Sequence, residues 1–381
     1  MKETQQYTMG ELFTLEYGKP VPDKESIDGS VPVYGTNGQI GTSHLKPLCN
    51  HPSVILGRKG AYRGVHYSNC PFSVIDTAFY IELITDKVDI KWLYYKLLTY
   101  DINSMDSGSA IPSTDRYQIY SLPIEVPSIS AQRRIVDVLD SITSKIELNR
   151  QINDNLEQQA KALYKSWFVD FEPFKDGDFV ESELGLIPEG WKVAELSSVT
   201  RQITEKVKDR TDVKVLSPVN TGELVLSEEY FTKQVFSESV SKYIVVKPLQ
   251  FAYNPARVNI GSLGMNTFTF DGCVSPVYVV FECESNYHHF FDYYRKTDGF
   301  KEEVLTRAIG GVRQTLSYKD FSLIKLVYPP QEVVEKFNSI YGKLLDNINS
   351  IKSENTKLSD LRDTLLPKLM SGELEINEID C

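Results

Sequence analysis

The residues best suited to specific chemistry in this 381-residue chain are cations and amides that lie in two stretches free of acids. Between Gly29 and Ile75 there is no Asp or Glu, although Lys46, Arg58, Lys59 and Arg63 occur. At the chain's average frequency about six acids would stand there, so the local field is positive despite a net charge of −11. Ser239 to Phe270 is a second such stretch, with Lys242, Lys247 and Arg257 where about four acids would be expected. Contacts to phosphate depend on the local field and not on total charge, so nucleic acid remains an admissible partner. Arginine can grip a guanine edge with two hydrogen bonds, and asparagine or glutamine an adenine edge. In the first half the candidates are Arg58, Lys59, Tyr62 and Arg63, with Arg116 near the Gly108 loop. In the second half they are Asn254, Arg257, Asn259, Arg313 and Gln314. Some of these would fix phosphate, which positions without specifying. Arg313 reads equally as one arm of an ion pair.

Other chemistries find little support. Cys49, Cys70, Cys273, Cys283 and Cys381 are odd in number and scattered, with no C-x-x-C pair, so reduced structural thiols are expected and no metal site. His288–His289 is the one histidine cluster, and adjacent residues on a helix do not share a face. No G-x-x-x-x-G-K-[ST] loop is present to cradle a nucleotide. Asn254-Pro255-Ala256 lacks the second proline and the aromatic of the adenine-methyltransferase motif. Asp89-Ile90-Lys91 and Asp212-Val213-Lys214 are half nuclease motifs without the Pro-Asp partner. Gly57-Arg58-Lys59-Gly60 lacks the strand–loop–helix setting of a phosphate loop. The expectation is a chain without catalysis or a cofactor of its own. No apolar run approaches a membrane span, and the opening MKETQQYTMG shows neither a signal core nor a transit pattern, which reads as cytoplasmic.

The elements that must hold the candidates occur twice. A shift of 202 residues aligns Gly108 with Gly310, Ile124 with Leu326, Pro127 with Pro329, Ile142 with Leu344 and Leu163 with Leu365. Upstream, a shift of 199 superposes Ile75–Tyr80 on Val274–Val279. Each half begins with short β-rich runs, Ser53–Leu56 and Phe72–Leu83, then Tyr243–Val246, Val274–Glu282 and Ser322–Tyr328. Helices are expected over Ile90–Thr99 and Tyr287–Lys296. Each half then ends in a long helix with one apolar seam: Ile135, Val138, Ile142, Ile146, Ile152, Leu156, Ala160, Leu163 and Trp167 in the first. Phe337, Ile340, Leu344, Ile348, Ile351, Leu358, Leu361, Leu365 and Leu369 form the second. At ~1.5 Å per residue these are rods of roughly 60 Å, too long to be covered by one small domain, so they are expected to pair with each other. Asn149, Asn153, Asn155, Asn347, Asn349 and Asn355 make their middles polar, fixing register or facing water.

Several phrases, in order, resemble the Type I restriction–modification specificity-subunit (HsdS) family. They are Val31-Pro32-Val33-Tyr34-Gly35-Thr36-Asn37-Gly38, Gly57-Arg58-Lys59-Gly60, and Leu163-Tyr164-Lys165-Ser166-Trp167-Phe168-Val169-Asp170-Phe171. Glu183-Leu184-Gly185-Leu186-Ile187-Pro188-Glu189-Gly190-Trp191 and Leu365-Leu366-Pro367-Lys368-Leu369-Met370-Ser371-Gly372 follow. The resemblance spans nearly the whole chain and implies an α+β pseudo-two-fold tandem repeat. Its parts would be a target recognition domain (1–128), a spacer helix (129–172), a second recognition domain (173–329), a second helix (330–370) and a tail (371–381). The two helices would form an antiparallel coiled coil.

It further implies that each domain reads half of an asymmetric bipartite site in double-stranded DNA. Two methyltransferase (M) subunits would carry S-adenosylmethionine, and two restriction (R) subunits would use ATP and Mg to translocate and cleave. No membrane is involved. A system lacking the ATP motor would be served equally well by this chain, and a coiled-coil scaffold for protein partners is the reading of a different class.

Overall fold

The computed structural model describes residues 4–105, 112–231, 236–237, 239–307 and 315–374. The chain divides into two compact units, Met1–Gln151 with Lys352–Cys381, and Ile152–Ile351. Both divisions fall inside a long helix, so each unit is built around one end of both helices. Among the described residues no helix is long and apolar enough to cross a membrane.

The first unit contains a four-stranded antiparallel sheet in the order Phe13–Tyr17, Ala78–Leu83, Ser53–Gly57, Val65–Ser68. Beside it Gly38–Ser43, Val31–Gly35 and Ser73–Val74 form a second sheet whose last pair is parallel. Gln5–Thr8 pairs with Pro123–Val126 at the entry to the long helix.

The second unit repeats this plan. Its antiparallel sheet runs Thr200–Ile203, Val279–Cys283, Phe251–Tyr253, Leu263–Met265. Lys214–Pro218 and Gly272–Val274 supply the parallel pair, and Lys192–Glu195 pairs with Lys325–Tyr328 at the helix entry.

Where the sequence suggests the continuous runs Phe72–Leu83 and Val274–Glu282, each is cut by a turn at the same place. The Ala78 N–H donates to the Ile75 carbonyl at 3.1 Å, and the Tyr278 N–H to that of Ser275 at 2.9 Å. The chain there leaves one sheet for the other, a change that β-rich composition does not announce.

Asp89 starts the helix Ile90–Leu97 by accepting from the N–H groups of Lys91 and Trp92 at 2.9 and 3.1 Å. The second unit has His288–Tyr294 in the corresponding place. The first long helix is Ile129–Phe168, shorter than the expected 129–172, because Phe171 turns left-handed (φ 53°) and Pro173 follows within the short helix Glu172–Phe174. The second is Gln331–Ser371 and continues through Pro367.

In the first unit Ile135 and Leu139 share a core with Met9, Phe13, Trp92, Leu93, Leu369 and Met370. In the second, Tyr164 stacks on Tyr293 (centroids 4.6 Å apart), and Phe168 meets Phe337 edge-on at 4.9 Å. The expected seam is not buried throughout, since Ile152, Ile340 and Leu361 are exposed. Asn149, by contrast, is buried. It is 1% exposed and donates to Glu354 Oε2 at 2.7 Å and Asn355 Oδ1 at 2.9 Å, while Asn355 donates to the Ile146 carbonyl at 3.3 Å. Those bonds are a register device within the first unit, whereas Asn155, Asn347 and Asn349 face water.

Polar latches reinforce both docks. The Tyr95 hydroxyl donates to Asp140 Oδ1 at 2.8 Å, and Lys91 lies 2.6 Å from the same carboxylate. In the second unit the roles exchange: Tyr341, on the long helix, donates to Asp292 Oδ2 at 2.8 Å. Burial alone would raise the Asp292 pKa. Arg295 at 2.5 Å and Lys296 at 2.9 Å override it and hold the carboxyl well below the usual range.

Two outcomes follow. Truncating the fully buried Phe337 to alanine is expected to cost about 3–5 kcal/mol, measured by urea unfolding. Burial, helped by its neighbour His289, pushes His288 from 6.5 down to about 4, so it is neutral in the fold and gains a proton on unfolding in acid. Its contribution is complete above about 6.5 and is lost as pH falls toward 4. The second unit's melting temperature should decline across that window, and His288→Gln should flatten the decline; an unchanged slope in the variant would exclude His288 as the cause.

Candidate nucleic-acid interface

The hairpin between Ser53–Gly57 and Val65–Ser68 carries four of the candidate residues. Its loop is built from the backbone. The Gly57 N–H donates to the Gly64 carbonyl at 2.8 Å, and the Gly64 N–H to that of Thr36 at 3.1 Å. The Thr36 hydroxyl lies 2.9 Å from the Lys59 carbonyl and 2.8 Å from that of Thr77. Gly60 has φ +121°, a conformation that a side chain would strain, and its N–H donates to the Pro112 carbonyl at 2.9 Å.

This frame sorts the candidates. The Arg58 guanidinium lies over the Tyr17 ring at 4.8 Å and donates to the Asp76 carbonyl at 2.9 Å. Arg116 approaches the same ring at 5.2 Å, and also bonds the Tyr117 hydroxyl at 3.1 Å. That bond, the largest influence on it, raises its already high pKa, so it is a permanent cation. Tyr17 is thus flanked by two guanidiniums that come from positions 58 residues apart. Lys59 reaches Asp76 at 3.4 Å, and Tyr62 is 66% exposed.

Arg63 does not belong with them. It is 2% exposed, and its guanidinium donates to the carbonyls of Gly60 (3.1 Å) and Asn103 (2.7 Å), so it pins the loop from beneath. A buried arginine and a reading arginine look alike in sequence.

The second unit has the same loop. Phe251–Tyr253 and Leu263–Met265 are the topological counterparts of the hairpin strands, and the connection holds Asn254, Arg257 and Asn259. The 199-residue shift places Arg58 on Arg257. Repeat-related residues close both loops: the Thr114 N–H donates to the Arg58 carbonyl at 2.8 Å, and the Leu316 N–H, 202 residues on, to the Pro255 carbonyl at 3.0 Å, so by this tether Arg257 lies two residues further along its loop than Arg58 does.

Asn254 spends its side chain locally, accepting from the Ala256 N–H at 3.0 Å, and its carbonyl accepts from the Arg257 N–H at 2.9 Å. Arg257 is exposed, and Asn259 is partly exposed on the short helix Val258–Ile260. Arg313 and Gln314 lie outside the described residues, as does Gly108.

Two aromatic members escape sequence reasoning. Tyr17, 45% exposed, reaches the site only through strand pairing, since it opposes Phe79, which opposes Leu56 beside the loop. Tyr117, also exposed, supplies the Arg116 partner. The arrangement offers fixed cations and aromatic faces to a polyanion carrying flat bases.

Residues 1–158 match the family model described as "Type I restriction modification DNA specificity domain". The chain is 28% identical over 310 residues to the Type I restriction enzyme MjaIX specificity subunit of Methanocaldococcus jannaschii, covering 77% of this chain and 71% of that one. It is 23% identical over 355 residues to the HindI specificity subunit of Haemophilus influenzae, with 74% of each chain covered. A crystal structure of a Type I system S subunit from M. genitalium has the same fold, with a TM-score of 0.69 over 97% of this chain and 96% of that one, at 16% identity.

The division between pin and surface is testable in solution. Arg63→Ala should destabilise the first unit by roughly 1–3 kcal/mol, because two buried carbonyls lose charged donors. Tyr62→Ala should leave the melting temperature unchanged, and equal melting of both variants would contradict the assignment.

Proposed function

We propose that the chain is a member of the Type I restriction–modification specificity-subunit family and reads both halves of an asymmetric bipartite DNA site with its two repeated loops. The observation that supports this most strongly is the pair of topologically matched hairpins, each closed by a backbone bond from a repeat-related residue, Thr114 or Leu316, and each carrying an arginine, Arg58 or Arg257. Arg58 and Arg116, held against Tyr17, would meet base edges or phosphates, with Lys59 and Tyr62 beside them. In the second unit Arg257 and Asn259 have this role, together with the sequence candidates Arg313 and Gln314.

The chain itself catalyses nothing on this reading. It docks two M subunits, which hold S-adenosylmethionine and methylate adenine, and two R subunits, which use ATP and Mg. The long helices, whose faces include the exposed Ile152, Ile340 and Leu361, provide docking surface for them.

Independent reading by two loops has a measurable signature. Arg58→Ala or Arg116→Ala should cost roughly 1–3 kcal/mol at bases of one half-site, and Arg257→Ala should do so only at the other. Methylome sequencing of cells that co-express the M subunits gives the answer. Relaxation of the same half-site by all three substitutions would refute the two-reader model.

A further inference from the structure

At the other end of the hairpin strands from Arg58, three side chains with metal-ligating atoms meet. Cys49 precedes the strand Ser53–Gly57, its backbone fixed by mutual N–H to carbonyl bonds with Phe72 at 2.9 and 3.0 Å. His51 lies two residues on, and Glu82 stands on the neighbouring strand Ala78–Leu83. His51 Nε2 is 3.7 Å from Cys49 Sγ and 2.9 Å from Glu82 Oε2, and all the ligand atoms fall within 4.8 Å of one another.

Imidazole chemistry makes the cluster more than a surface pair. His51 Nδ1 is 3.1 Å from the Pro52 carbonyl and Nε2 is 2.9 Å from the Glu82 carboxylate, groups that only accept, so both ring nitrogens donate and a cation would take the place of the Nε2 proton. Nε2 thus faces a carboxylate and a sulfur, and a backbone carbonyl on the far nitrogen is the usual orienting contact of a metal-bound histidine. Zinc bond lengths of about 2.3 Å to sulfur and 2.0–2.1 Å to nitrogen or oxygen, at tetrahedral angles, require S···N near 3.6 Å and N···O near 3.4 Å. The first spacing is already present. The second needs Glu82 to withdraw by about half an ångström, which its half-exposed side chain permits.

We infer that Cys49, His51 and Glu82 form a binding site for a thiophilic divalent cation of the zinc class, with water in the fourth position. Binding expels two protons to solvent, that of His51 Nε2 and that of the Cys49 thiol, which now points to the His51 carbonyl at 3.3 Å, and joins the Cys49 loop to the strand Ala78–Leu83. The cation therefore clamps the strand pair that leads to Arg58, five residues on from Ser53, and acts on the stability of the first unit and not on any reaction.

The test uses the full chain stripped with EDTA, desalted and given Zn²⁺ alone. Elemental analysis should find one retained equivalent, and zinc should raise the first unit's melting temperature. His51→Ala alters a half-exposed side chain and so leaves the fold intact by circular dichroism; it should weaken zinc binding roughly tenfold or more, as should Glu82→Gln. Co²⁺ in place of zinc should give a thiolate charge-transfer band that Cys49→Ser removes. Zinc binding that is absent, or equally tight in wild type and His51→Ala, overturns the site, as does a cobalt complex without the thiolate band.

Discussion

Everything in this fold depends on burying the apolar seams of two helices of 40 and 41 residues. A helix of that length with one apolar face is not stable alone in water; it forms because a partner surface covers the seam. Each globular unit provides that surface for one end of each helix. In the first, Leu139 is sealed among Trp92, Leu93 and Met9; in the second, Phe337 is sealed among Tyr164, Phe168 and Phe290. The hydrophobic requirement is directionless, so polar groups supply the alignment. Asn149 with Asn355 and Glu354 is satisfied in only one register, and a slip would strand a buried amide.

The same economy governs charge. An acidic chain can present cations locally only if its acids are kept away, and the acid-free stretches do that. Structure adds restraint of the cations themselves. Arg58 and Arg116 rest on one aromatic ring, so much of the side-chain entropy lost on meeting a ligand has already been given up on folding. The Gly57–Gly64 loop is held by its own backbone and by Arg63.

Helical periodicity made the long helices legible, because a repeat of three and four over so many turns has no competing interpretation. The two-fold repeat of the strands was visible too, although the turns at Ile75–Ala78 and Ser275–Tyr278 were not, since strand residues on both sides of a sheet change have the same composition. Site residues were legible only by type. Arg58 and Arg63 stand five apart in one basic stretch, yet one faces outward and the other is enclosed by Gly60 and Asn103, a difference decided by a loop fold that spacing does not encode. Tyr17 joins through two strand pairings of long sequence separation. Cys49 and His51 left a short Cys-x-His trace, but Glu82 comes from another strand, and without it the scattered cysteines read as inert.

The exchanged latch gives the two halves a private identity. Tyr95 reaches from its globular domain to a carboxylate on the helix, whereas Asp292 reaches from its domain to a hydroxyl on the helix. A nascent chain with two similar domains and two similar helices risks seating a domain on the wrong partner. Crossed seating would oppose Tyr95 to Tyr341 and set Asp292 opposite Asp140, so neither contact would have both a donor and an acceptor. The opposite direction of these two hydrogen bonds, together with two differently composed cores, lets each half of a duplicated chain match its own helix end.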